Sequence, residues 1–143
     1  MIIYADTSAL VKLFVNEAHS DSVRQWVQAA SQLVVSEVTW TEMCAALALK
    51  KRTGHLATVP ANRALATMRQ HWARYQKLGT DAALFTEAGD LALRLNLRAY
   101  DSVQLASAWR AFGATGPALS FCCFDQKLNS AARSMGLPVL TGD

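Results

Sequence analysis

Short apolar runs separated by stretches far too long for hairpins constrain this chain more than any other feature. Residues 1–5 are apolar and carry two β-branched isoleucines; 32–35 form a second run, and 118–124 is the clearest later one. Residues 138–140 suit a final edge strand, and a weaker extended stretch falls near 81–85. Between these runs apolar residues recur at helical spacing. Leu10, Val11, Phe14 and Val15 mark a first helix, and Val23, Trp26 and Val27 a second. Further helices are expected over 39–52, from about Pro60 through Tyr75, and near 86–95, 100–112 and 126–135. Lys50-Lys51-Arg52 before Gly54 reads as a basic last turn with a glycine stop. Gly79 and Gly136 end later helices, while Gly113 and Gly116-Pro117 interrupt the pattern. Strands joined through helices require crossovers and pair in parallel. Crossovers of one hand place helices on both faces. The expected fold class is therefore α/β, a three-layer α/β/α sandwich around a mainly parallel sheet. No repeat or linker divides residues 1–143, so one domain is expected.

Composition narrows the class. A hydrophobic fraction of 52% against 17% charged residues supports one sizeable core and excludes a disordered chain. No run approaches the roughly 20 apolar residues that span a bilayer. The N-terminal residues lack the basic region and long apolar stretch of a secretion signal. Of three cysteines, Cys122 and Cys123 are neighbours and none is in C-x-x-C spacing, which argues against a disulfide framework or a zinc site. A cytoplasmic protein is expected.

The acids carry the chemistry. Asp6 and Asp125 each follow an apolar strand and precede a helix, which places them on the carboxyl edge of a parallel sheet. Glu42 falls in the first turn of the helix after the second strand. Asp101 opens a helix at Tyr100-Asp101-Ser102, with no clear strand before it. Clustered carboxylates repel, and some take up protons unless a cation compensates them. Mg²⁺ and similar hard cations prefer oxygen ligands and also bind phosphate. Such a centre activates water and stabilises charge in phosphodiester cleavage. Each acid also has a purely structural reading. Asp6 and Asp125 suit helix N-caps, Asp101 suits the positive end of a helix, and Thr39 with Glu42 fits a capping box. Ser, Thr or Asn would cap as well, so four carboxylates together favour a metal. Setting those four aside leaves 14 basic against 7 acidic side chains, a field that attracts polyanions. His19, His55 and His71 have no metal-ligand spacing and read as surface residues. Arg63, Arg69, Arg74 and Lys77 read mainly as a solvated helix face, and the four tryptophans as core or dimer interface.

Four ordered segments resemble a known family. Tyr4-Ala5-Asp6-Thr7-Ser8-Ala9-Leu10-Val11-Lys12 resembles the opening motif of PIN-domain ribonucleases, especially the VapC toxins of bacterial toxin–antitoxin modules. Ser36 with Glu42 resembles their second motif, and Leu97-Arg98-Ala99-Tyr100-Asp101-Ser102-Val103-Gln104-Leu105-Ala106 their third. Phe121-Cys122-Cys123-Phe124-Asp125-Gln126-Lys127-Leu128-Asn129 resembles the fourth, followed by Gly136-Leu137-Pro138-Val139. The resemblance implies a PIN-like fold, RNA cleavage dependent on Mg²⁺ or Mn²⁺, homodimerisation and inhibition by a small cognate antitoxin. By matched position it makes Asp6, Glu42, Asp101 and Asp125 the metal-binding catalytic set, with Ser8 in support. Asn129 reads either as a further supporting group or as a solvated amide. Many relatives carry Ser or Thr where this chain has Cys123, and a thiol is the weaker hydrogen-bond partner; weaker local support for Asp125 is expected. Two rival readings remain. One is a catalytically silent PIN-like module that holds RNA or protein. The other is a phosphotransfer enzyme using Asp6 as nucleophile, against which Ser8 replaces the second acid of a D-x-D opening.

Overall fold

A computed structural model describes residues 1–141. Its strands are β1 (Ile2–Ala5), β2 (Gln32–Ser36), β3 (Gln76–Leu78), β4 (Leu119–Cys122) and β5 (Val139–Leu140). Its α-helices are α1 (Thr7–Leu10), α2 (Ser20–Ala29), α3 (Val38–Arg52), α4 (Thr58–Trp72), α5 (Ala82–Leu95), α6 (Ala99–Thr115) and α7 (Gln126–Ser134). A short 3-10 turn, Val11–Leu13, extends α1. The strands form one sheet in the order β3-β2-β1-β4-β5, and every pairing is parallel. The first strand of the chain is thus the middle strand of the sheet.

Strand alternation explains why the sheet needs helices on both faces. Tyr4, Val34, Leu119 and Phe121 point into one core, shared with α5, α6 and α7 through Leu84, Leu91, Val103, Leu105 and Leu128. Ile3, Ala5, Leu33, Val35 and Cys122 point into the other, shared with α1, α3 and α4 through Leu10, Met43, Leu47 and Met68. The three-layer sandwich follows. Among the described residues no helix is long and apolar enough to cross a membrane. Cys44, Cys122 and Cys123 are all free thiols.

Several boundaries differ from the sequence expectation. The stretch near 81–85 is not extended: Asp81 caps α5, its Oδ1 accepting the Leu84 amide at 2.7 Å. The third strand lies earlier, at Gln76–Leu78, and α4 stops at Trp72 instead of running through Tyr75. Lys77 closes that helix end, its Nζ donating to the carbonyls of Trp72 and Tyr75 at 2.9 and 3.0 Å. Gly113 does not interrupt α6; the helix continues to Thr115 and stops at Gly116, whose φ of 70° favours glycine. Strand β4 ends at Cys122, so Cys123 and Phe124 intervene before Asp125.

Candidate active site

Asp6 leaves β1 in extended conformation, and its amide still donates to the Cys122 carbonyl at 3.1 Å. This ties the end of β1 to the end of β4. The Asp6 side chain caps α1, with Oδ1 accepting from the Ala9 amide at 3.2 Å and from Ser8 Oγ at 2.6 Å. Its Oδ2 lies 3.3 Å from Cys123 Sγ. The capping role is real, but it does not exhaust the residue, which is only 5% exposed. Burial pushes its pKa up to about 6, against the pull of the Ser8, Cys123 and Ala9 hydrogen bonds and with a further push from Glu42.

Glu42 is not part of a capping box. Helix α3 begins at Val38 without a side-chain cap, so Glu42 is its fifth residue, two positions deeper than the capping box requires. Its Oε1 accepts from Thr7 Oγ1 at 2.9 Å and from Gln104 Nε2 at 2.8 Å. The Thr39 hydroxyl also accepts from Gln104 Nε2, at 2.8 Å, while Tyr4 Oη donates to Gln104 Oε1 at 2.7 Å. One buried amide therefore joins the central strand, α3 and α6 behind the acids. Sequence reasoning passed over Gln104 and Thr7. The available signal was an amide set between the apolar Val103 and Leu105 in a stretch of helix that is otherwise mostly small or apolar.

Asp101 occupies the first turn of α6, and Asp125 caps α7 by accepting the Leu128 amide at 2.8 Å. Arg98 joins them. Its Nε donates to Asp101 Oδ2 at 3.0 Å, and its Nη2 lies 3.9 Å from Asp125 Oδ2. The two carboxylates raise the guanidinium pKa, the Asp101 hydrogen bond most. Arg98 was also missed, although its i,i+3 spacing to Asp101 is a standard helix pairing. The four carboxylates thus stand along the carboxyl rim as Asp6 with Glu42 and Asp101 with Asp125. Among the described residues no three His, Cys, Asp or Glu side chains form a ready-made ion cage.

The supporting residues are tightly placed. Ser8 Oγ donates to Asp6 and accepts the Phe124 amide at 2.8 Å, so it links both strand ends. Cys123 accepts the Asp125 amide at 3.3 Å while touching Asp6. The thiol therefore reaches the Asp6 carboxylate and the backbone amide of Asp125, so position 123 keeps a contact to Asp125, made to its backbone and not to its carboxylate. Burial raises the Cys123 pKa well beyond the ordinary thiol range, which keeps it a protonated donor. Asn129 is not a solvated amide: it is buried, and its Nδ2 donates to the Cys123 carbonyl at 2.8 Å. Of the histidines, His19 and His55 are exposed, whereas His71 is half-buried with its ring edge-on to Phe14.

A parallel sheet between helical layers, with carboxylates gathered at the carboxyl rim, defines an acid-rimmed α/β/α protein of the nuclease-like kind. The chain belongs to the PIN domain family, whose profile matches residues 3–134. It is 33% identical over 138 residues to Ribonuclease VapC46 of Mycobacterium tuberculosis, covering 96% of this chain and 95% of that protein. The fold is also similar to PAE2754 from Pyrobaculum aerophilum, with a TM-score of 0.67 and 23% identity over 97% of this chain and 89% of that one. A toxin–antitoxin complex from Klebsiella pneumoniae contains a chain matching at a TM-score of 0.66 and 19% identity, covering 97% of this chain and 96% of that one.

Proposed function

We propose that this chain is a divalent-metal-dependent endoribonuclease, the toxin of a toxin–antitoxin pair. The observation that carries the reading is the buried Asp6 carboxyl, which burial and Glu42 hold up to about 6 at the mouth of the sheet. With a pKa of about 6 the group is mostly ionised at neutral pH, and a buried charge of this kind is costly unless a cation shares the site. The donor set fits a hard ion, being carboxylate oxygen throughout, with Asp6, Glu42, Asp101 and Asp125 as the ligands. Mg²⁺ or Mn²⁺ there would supply a polarised water and charge stabilisation for the phosphate.

The chain's own residues supply the order. Ser8 and Cys123 fix the two oxygens of Asp6, and Thr7 with Gln104 fix Glu42. Arg98 holds Asp101 and, with its side chain 81% exposed, offers guanidinium N–H groups to a phosphate of the strand. Ribonuclease VapC46 and the Klebsiella toxin–antitoxin complex support RNA as substrate and a small antitoxin as partner. Exposed Phe85, Leu93 and Trp109 leave apolar surface for a partner chain or a second copy, the homodimer. Free thiols suit the reducing cytoplasm.

The test is cleavage of a mixed RNA pool by purified protein with Mn²⁺, Mg²⁺ or EDTA. Cleavage with metal, lost in EDTA and in Asp6→Asn protein of unchanged circular dichroism, is the expected result. One observation favours the silent binding module: Arg98 already compensates Asp101 and Asp125 without a metal. RNA binding indifferent to chelator, with no turnover across the pool, would establish that reading instead.

A further inference from the structure

A cavity opens beside the start of α7, lined by the residues on either side of Asp125 in sequence. Its volume is about 360 Å³, and its walls include His19, Phe124, Gln126, Asn129 and Arg133. That size is in the range of small-ligand sites. Three features mark it as built for an occupant. The first is an aromatic pair in its wall: His19 stacks on Phe124 with centroids 5.2 Å apart and planes 22° from parallel, and Phe124 is backed by Trp26, which does not line the cavity, at 6.4 Å and 15°. The second is Asn129, 5% exposed, whose Nδ2 is committed to the Cys123 carbonyl while Oδ1 has no partner in the protein. The carbonyl bond fixes the amide orientation, so the oxygen is the atom left over. The third is His19 itself, a non-glycine residue at φ 68°. A left-handed residue of this kind is strained and persists only where its surroundings enforce it.

Those surroundings are visible. Glu17 pairs with Lys12 at 3.0 Å and Lys50 at 2.9 Å, and Ser20 Oγ accepts the Glu17 amide and donates to the Val15 carbonyl. Lys12 Nζ also lies 4.8 Å from the Phe124 ring centroid. The loop that presents His19 is therefore pinned to the same aromatic side chain on which His19 stacks. The cavity is continuous with the acidic rim, because Phe124 donates to Ser8 Oγ and directly precedes Asp125.

We propose that this cavity is a nucleobase subsite, which seats the base next to the scissile phosphate against His19 and Phe124. This rests on the ribonuclease reading and deepens it. An aromatic wall supplies stacking to any base, Asn129 Oδ1 accepts a base N–H, and exposed Arg133 faces the adjoining phosphate. An aliphatic peptide segment gains nothing from parallel rings, and the wall is polar at its tip and floor.

The test has two arms. In EDTA, so that nothing is cut, each of the four nucleoside monophosphates is titrated into ¹⁵N-labelled protein. The Asn129 side-chain amide and the Phe124 and Gln126 backbone amides should shift, more for one base than for the others. His19→Asn removes the ring while tolerating a left-handed φ, and it should weaken these shifts about fivefold to tenfold, at the modest end of base–aromatic stacking. In the second arm, RNA ends are mapped with metal present. His19→Asn should raise KM by a similar factor and relax base preference at one position beside the cut, with kcat changed less than about threefold. Nucleotides that leave these resonances still at millimolar concentration, or a cleavage pattern and KM unchanged in His19→Asn, overturn the subsite. Shifts in EDTA without cleavage of any RNA would uphold the subsite and sink the nuclease reading.

Discussion

Asp6 concentrates a conflict in one side chain. The sheet and α1 need a cap there, and a cap needs only a hydrogen-bond acceptor. The residue is instead a buried acid whose folded pKa is raised from 3.8 to about 6. A raised carboxyl pKa contributes stability that is complete below the unfolded value and is lost as pH rises through the folded one. Without metal, the wild type should therefore lose roughly 2–3 kcal/mol relative to Asp6→Asn between about pH 4 and 7. Urea melts of both proteins in EDTA across that range check this, and parallel pH profiles would refute it. Asn keeps the oxygen that accepts from Ser8 and Ala9, so the variant should remain folded while losing cleavage. Cys123 belongs to the same scale. Its thiol spans Asp6 and Asp125 at 3.3 Å each, a reach that a shorter hydroxyl side chain would change. Cys123→Ser should lower the Asp6 pKa by offering a stronger donor, a shift read by carboxyl ¹³C NMR titration.

Among the elements, α6 does the most positioning. Gln104 lies in its buried middle and holds Tyr4, Thr39 and Glu42 at once. Gln104→Leu matches the apolar surroundings but strands three polar partners, so a loss of about 2–4 kcal/mol is expected, together with reduced cleavage as Glu42 is released. Thermal melts and activity at a temperature where the variant is fully folded separate the two effects; unchanged melting would count against the network. This network also shows where sequence reasoning stops. Asp6 and Asp125 were legible because strand-to-helix boundaries are local patterns, and the parallel order followed from the crossovers. Asp101 was placed by resemblance alone, since α5 and not a strand precedes α6. Strand β3 escaped notice because it is three residues long and two of them are polar. Gln104 acts on partners far along the chain, which no periodicity reports, whereas Arg98 pairs with Asp101 at a local i,i+3 spacing and only its reach to Asp125 is non-local. The capping box at Thr39 misled for the opposite reason: its local pattern is genuine, but a tertiary partner in Gln104 takes the hydroxyl.

At the scale of the molecule, the acids and the guanidinium of Arg98 form a charge balance that a bound metal would have to displace. Mn²⁺ at a hundredfold above its dissociation constant should stabilise the protein by about 2.7 kcal/mol. Arg98→Gln should reach the same rise in Tm at several-fold lower Mn²⁺, because the competing cation is gone. A differential scanning titration of both proteins measures this; equal half-points would show that Arg98 does not compete.

The strand order also bears on how the protein is made. Strand β1 leaves the ribosome first, yet one of its two edges pairs only with β4, which begins at Leu119. The last acid, Asp125, comes later still. A chain whose synthesis stops before Leu119 has an unclosed middle strand, and one that stops before Asp125 lacks the last of the four acids. If the four acids act together, a nuclease arranged this way would gain its activity only once the chain has been made past Asp125.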